Sequence, residues 1–354
     1  MVKQPQNACI EKDDFLPFIR ELLMYHPGLE FLEAHPDFHI KYATTVTTRI
    51  FYCVNVSRSG RISQSELRKS NLVDVFNLVD EEEDINKVTE YFSYEHFYVM
   101  FCRFYELDSD RDGRLTREDL LKYGDHGLSQ LIVDRILSIG PRPFTPGRRS
   151  LGDDGEDPRA TMSYEDYVYF MLSEEDRGNE HSLRYWFACV DLDGDGKIGN
   201  MEMTLFYDAQ VRRMESLGHE VVPLEDVVCQ MWDMLMLGDR DYVTLRDFLK
   251  KESMKVGGIF FDALFNLNKF VGFEQRDPFA ERQKRNDPFE NDWDRFAFHD
   301  YNRLAAEDER ESGGDGEDLD TGDDWMVTDD DDEDEAFPGM GGGQQGSSTA
   351  EAPF

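Results

Sequence analysis

An all-α fold of paired helix–loop–helix units is the class that the sequence predicts, and three observations carry it. The stretch DLDGDGKIGNME, Asp191 to Glu202, interleaves four carboxylates with three glycines. Apolar residues flank it at helical spacing on both sides. The same loop pattern returns in altered form along the chain, and no strand-rich segment interrupts it.

Calcium is a hard cation that takes six to eight oxygen ligands. The EF-hand loop supplies them from positions 1, 3, 5, 7, 9 and 12, with glycine at position 6 for the sharp turn. Asp191–Glu202 fills this template with the side chains of Asp191, Asp193 and Asp195 and the backbone carbonyl of Lys197. Gly199 leaves position 9 to a water, and Glu202 is long enough to close the exiting helix over the ion with both oxygens. Gly196 permits the positive φ of the turn. Ile198, at position 8, is free to face a partner loop.

Read along the chain, the pattern divides at residues 88, 175 and 305. Residues 1–88 form an N-terminal helical region around a degenerate EF-hand, Asn55–Glu66. That loop keeps Gly60, Ile62 and Glu66 but replaces the early acids with Asn55, Ser57 and Ser59. One carboxylate in place of four holds too little charge for calcium, so the loop is structural.

Residues 89–175 form a first EF-hand domain. Its entering helix carries Tyr94, Phe97, Tyr98, Phe101, Phe104 and Tyr105 on an i, i+3, i+4, i+7 stripe, a core face. The loop Asp108–Asp119 offers Asp108, Asp110, Asp112, the carbonyl of Arg114, and Asp119. Aspartate at position 12 is one methylene shorter than glutamate, so bidentate closure is harder. That weakens calcium and relatively favours magnesium, which accepts only octahedral geometry. The second half of this domain, ATMSYED, keeps only Met162 and Asp166 and is silent. A Pro- and Gly-rich stretch, 139–159, reads as an exposed insertion before it.

Residues 176–305 form a second EF-hand domain with C-terminal helices. Leu183, Trp186, Phe187 and Val190 line the helix entering the Asp191 loop, and MTLFYDAQVRRME continues the helix after it. Its silent half, DYVTLRD, keeps Val243 and Asp247. The position-8 residues are predicted to pair as short antiparallel strands, Leu115 with Met162 and Ile198 with Val243. Residues 306–354 read as a disordered acidic tail.

The net charge is −37, of which 16 negative charges lie between Glu307 and Glu335. Such a surface repels nucleic acid and acidic membranes and attracts divalent cations and basic protein surfaces. No apolar run approaches membrane-spanning length, so no membrane insertion is expected. Five cysteines without CxxC spacing read as buried free thiols of a reducing compartment, placing the chain in the cytoplasm, with nuclear or cytoskeletal association left open. Eight histidines show no metalloprotease spacing, and no hydrolase, P-loop or kinase motif is present, so no catalytic centre is expected. His96 and His126 read as structural groups. Met231, Trp232, Met234, Leu235 and Met236 read as core.

The stretches between the loops are more specific than the loops themselves. EEEDINKVTEYFSYEHFYVMFCRFYELDSDRDG, MSYEDYVYFMLSEEDRGNEHSLRYWFACVDLDGDG, FEQRDPFAERQ and NDWDRFAFHDYNRLA resemble the B double-prime (B″) family of regulatory subunits of protein phosphatase 2A, from about Cys9 to Leu304. The resemblance implies a non-catalytic subunit that docks on the phosphatase scaffold and catalytic subunits and selects phosphoprotein substrates. It also implies two functional calcium loops, matching Asp108–Asp119 and Asp191–Glu202. Family members extend much further before the Cys9 region, and the 139–159 insertion and acidic tail lie outside the shared pattern.

The alternative reading is a stand-alone EF-hand sensor or adaptor for other protein targets. The silent loops and large aromatic helices speak against it. Two DPF triplets, at Asp277–Phe279 and Asp287–Phe289, resemble adaptor-docking peptides, but the first lies within the family-like stretch.

Overall fold

The computed structural model describes residues 8–145, 157, 159–274 and 288–312. The acidic tail beyond Ser312, most of the insertion and the first DPF triplet lie outside them. Residues up to Tyr301 form one compact unit. From Asn302 the described chain is helical to Ser312, with Arg303 paired to Glu307 one turn on. Helix therefore persists past the boundary at 305 that composition indicates.

The compact unit is helical, as its apolar periodicity requires, and its centre is the helix Tyr164–Glu175. Residues Asp166 to Glu174 along it are all buried, so it is enclosed on every side rather than amphipathic. It packs against Pro36–Val54, Tyr94–Leu107 and Glu180–Val190. Edge-to-face aromatic contacts join these helices: Tyr52 with Tyr169 at 5.4 Å, Phe104 with Tyr167 at 5.3 Å and Phe170 with Trp186 at 6.2 Å. Tyr94–Leu107 starts where the Ser93 hydroxyl accepts from the His96 amide. Of its predicted stripe only Phe97 and Phe104 are buried, while Tyr94, Tyr98, Phe101 and Tyr105 are half-buried; His96, Val99, Met100 and Leu107 complete the buried face.

Two short antiparallel ladders bring the loops together. β1 (Arg114–Leu115) pairs with β2 (Met162–Ser163), placing Leu115 opposite Met162. β3 (Ile198–Gly199) pairs with β4 (Tyr242–Val243), placing Ile198 opposite Val243. A third pairing, not foreseen, exchanges both backbone hydrogen bonds between Ile10 and Ile62 at 2.9 Å. Ile10 thus does for the Asn55 loop what Met162 and Val243 do for the metal-type loops. Its signal was present: Asp14 follows four residues later and its carboxylate accepts the Glu11 amide, the contact seen after every other position-8 residue.

Several local readings are corrected. The insertion starts exposed at Ile139 but then turns inward rather than staying exposed: Arg142 is 6% exposed and the Phe144 ring packs on Phe51 at 5.1 Å. A Cβ on Gly60 would stand 3.0 Å from the Pro143 carbonyl, so this segment lies directly over the Asn55 loop. The helix leaving the Asp108 loop is one turn, Arg117–Leu120, and the backbone then turns through positive φ at Gly124, Asp125 and His126. Met231 and Leu235 are core, but Met234 and Met236 are exposed. Cys189 is buried and burial pushes its thiol up to about 12, whereas Cys229 is exposed. Among the described residues, no helix is long and apolar enough to cross a membrane.

Candidate metal centres

The front aspartates converge in both acidic loops. Carboxylate oxygens of Asp108, Asp110 and Asp112 lie within 4.8 Å of one another, as do those of Asp191, Asp193 and Asp195. Three like charges at such distances repel unless a cation stands among them.

Each loop is wound by its own amides. In the second, Asp191 Oδ1 accepts from Gly194 N at 2.9 Å and Oδ2 from Gly196 N at 3.0 Å, while Asp193 and Asp195 accept from the amides two residues on. In the first, Asp108 Oδ2 accepts from Gly113 N at 2.9 Å and Asp112 from Arg114 N at 2.7 Å. The winding needs positive φ at positions 4 and 6: Arg111 and Gly113 in one loop, Gly194 and Gly196 in the other.

The residues fit a divalent cation by an internal criterion. Asp108 Oδ1 is buried and has no hydrogen-bond partner, a costly state for a carboxylate oxygen and one that a cation relieves. Burial raises the Asp108 pKa, and the neighbouring Asp110 and Asp112 charges raise it further.

The position-12 acids differ. Glu202 Oε2 accepts from Gly199 N at 3.0 Å. Asp119 is engaged through both oxygens: Oδ2 by the Thr116 amide and hydroxyl at 3.1 and 2.7 Å, and Oδ1 by Lys122 Nζ at 2.8 Å. Burial acts to raise the Asp119 pKa, but hydrogen bonds from Lys122 and Thr116 outweigh it and hold the group below its usual range. The Arg114 and Lys197 carbonyls belong to β1 and to the residue just before β3.

Arg135 was missed by sequence reasoning. It donates to Cys189 O and Asp191 O, both at 2.8 Å, and so anchors the entrance of the second loop from the helix Gln130–Ile139. Arg117, inside the first loop, holds Asp134 on that same helix at 2.5 Å. No spacing rule could place Arg135, because its partners lie 54 and 56 residues away.

Comparison with known proteins adds the family. An EF-hand domain matches residues 1–82 and an EF-hand domain pair matches residues 97–207, so the chain contains a calcium-binding fold. The probable B″delta regulatory subunit of serine/threonine protein phosphatase 2A from Arabidopsis thaliana is 46% identical over 89% of this chain and 57% of its own length. The B″ alpha regulatory subunit of the same phosphatase from Homo sapiens is 44% identical over 87% of this chain and 26% of its own length. A solved structure described as a PP2A PR70 holoenzyme superimposes with a TM-score of 0.66 at 42% identity, covering 76% of this chain and 95% of that one. The chain belongs to the B″ family of protein phosphatase 2A regulatory subunits. It spans about half the length of most of the curated relatives it matches.

Two stretches that mark the B″ resemblance, SYEHFYVMF and DWDRFA, meet in space. Trp293 Nε1 donates to His96 Nδ1 at 3.1 Å, and Arg49 donates to the same nitrogen at 2.9 Å. Burial, then the Arg49 charge, pushes the His96 pKa well below its ordinary value, so the ring stays neutral and accepts. Arg103 grips Asp300 through two hydrogen bonds of 2.6 Å. His96 is thus a structural junction. His126 is exposed and rests on Leu121 O at 2.9 Å.

Proposed function

We propose that this chain is a calcium-binding regulatory subunit of serine/threonine protein phosphatase 2A. In this reading it docks on the scaffold and catalytic subunits and directs their choice of phosphoprotein substrate in the cytoplasm. The observation that supports it most is the likeness to the PP2A PR70 holoenzyme chain across nearly that chain's whole length. Two calcium ions are assigned. One is held by Asp108, Asp110, Asp112, the Arg114 carbonyl and Asp119, a site that also accepts magnesium. The other is held by Asp191, Asp193, Asp195, the Lys197 carbonyl and Glu202.

Bound calcium supplies a fixed positive charge that gathers the front aspartates and the position-12 acid. The chain's own residues carry the consequence: the β1–β2 and β3–β4 ladders hold each acidic loop to its silent partner, and the exiting helix moves with Asp119 or Glu202. Calcium then favours docking by as much as it prefers the docked helix orientation.

Affinity capture of this chain from cells, in calcium and in chelator, tests the reading. Phosphatase scaffold and catalytic subunits are expected in the eluate, at least about fivefold more with calcium. Their absence under both conditions refutes the assignment, and equal recovery confines calcium to a structural role.

A further inference from the structure

We propose that the Asn55, Met162 and Val243 loops, which lack an acidic front, are self-liganded: a nitrogen donor of this chain stands among or beside the oxygens that calcium would gather, so each loop is closed without metal. The inference rests on the Asp108 and Asp191 loops being the calcium sites.

The Asn55 loop shows it most completely. Asn55 Nδ2 lies 3.0 Å from Ser57 Oγ, 3.3 Å from Ser59 Oγ, 2.9 Å from Arg61 O and 3.2 Å from Glu66 Oε1. Those oxygens belong to positions 3, 5, 7 and 12, four of the six ligand positions of the template. The other end of the amide is fixed independently, because Asn55 Oδ1 accepts from Gly60 N at 3.0 Å. Asp108 and Asp191 accept from the same position-6 amide in their loops. The winding also agrees, with positive φ at positions 4 and 6, here Arg58 and Gly60. The loop thus has the fold of a metal loop, with an amide nitrogen at its centre.

The two silent halves reach the same end with guanidinium groups. Arg240, at position 5 of the Val243 loop, binds both oxygens of the position-12 acid Asp247, at 3.0 and 2.9 Å. Arg142, from the segment after the Gln130–Ile139 helix, donates to the position-7 carbonyl of Thr161 at 2.7 Å and stands 3.7 Å from Asp166 at position 12. Arg240 satisfies Asp247 with directional, charge-assisted bonds in place of a coordination shell, whereas Arg142 adds only its charge near Asp166, whose hydrogen bond comes from the Thr145 hydroxyl at 2.7 Å.

The consequence is a division of labour within each pair. One half is closed permanently, so calcium alters only the acidic half and the β-ladder works against a fixed partner. The N-terminal pair, Ile10 with the Asn55 loop, has no calcium-dependent half and keeps its form whether or not calcium is present.

Asn55→Asp tests this directly. The substitution exchanges the central nitrogen donor for an oxygen ligand and leaves the Ser57, Ser59, Arg61 and Glu66 oxygens in place. Calorimetric titration of the full chain with calcium chloride should give one more equivalent bound than wild type. The thermal midpoint should fall in chelator and return with calcium. An unchanged stoichiometry, or a fall that calcium does not reverse, overturns the proposal. The increment over wild type is the readout, so it stands whether wild type binds two ions, one or none; a wild-type count other than two bears on the site assignment alone.

Discussion

The Asp108 and Asp191 loops carry the same three front aspartates and the same turn, yet their closing acids sit in different company. Asp119 is short and is held on both oxygens by Thr116 and Lys122. Glu202 is longer, and one of its oxygens accepts the Gly199 amide. A metal must therefore take Asp119 away from an ammonium group but need only redirect Glu202. The first loop buries its leading acid deeply, with Asp108 1% exposed, and so binds where charge is costly without metal. The comparison teaches that affinity in such loops depends on what already occupies the ligands as well as on how many there are.

The largest test of this contrast removes the leading acids one at a time. Asp191→Ala should abolish the tighter calcium step in a calorimetric titration, and Asp108→Ala the weaker one, with the remaining step little changed. A tighter step that survives Asp191→Ala and disappears with Asp108→Ala reverses the order and sinks the comparison.

Asp119→Glu sharpens it. The added methylene lets both oxygens reach the ion, so calcium affinity at this loop should rise by about tenfold, roughly 1.4 kcal/mol, while magnesium gains less. Competition titration of calcium against magnesium reads the ratio. A parallel gain for both metals would show that charge, rather than reach, limits the loop.

Lys122→Met should have the smallest effect. Its ammonium is half exposed and its pair with Asp119 is a surface one, worth about 0–1 kcal/mol. Calcium affinity of the Asp108 loop should rise by no more than about fivefold. The gain should shrink as salt is added, because salt already screens the competing pair. Loss of affinity would mean that Lys122 positions Asp119 rather than competing for it.

Much of the site was legible because EF-hand chemistry is local. Ligands within a twelve-residue loop, a position-6 glycine and an apolar position 8 lie in one short window, and the pairings of Leu115 with Met162 and Ile198 with Val243 follow from that register. The Ile10 half-loop was missed because it has no acidic front and no glycine, only Ile10 followed by Asp14. Met236 misled for a related reason. It continues an apolar run, but the helix ends at Leu235 and the chain turns through a φ of 55° at Met236, which carries the side chain to the surface.

Sequence alone determined which loops offer enough oxygens at the fixed spacing that coordination asks for, and it determined the helical class, since apolar periodicity sets which faces must be buried. Tertiary structure decided what fills the loops that do not. Asn55 and Arg240 lie within their own loops, but nothing in their residue type says that an amide or guanidinium will turn inward. Arg142 comes from outside its template altogether. Packing decided these contacts: a buried carboxylate at position 12 must have a donor, and the nearest one depends on which helices the Tyr164–Glu175 core brings together.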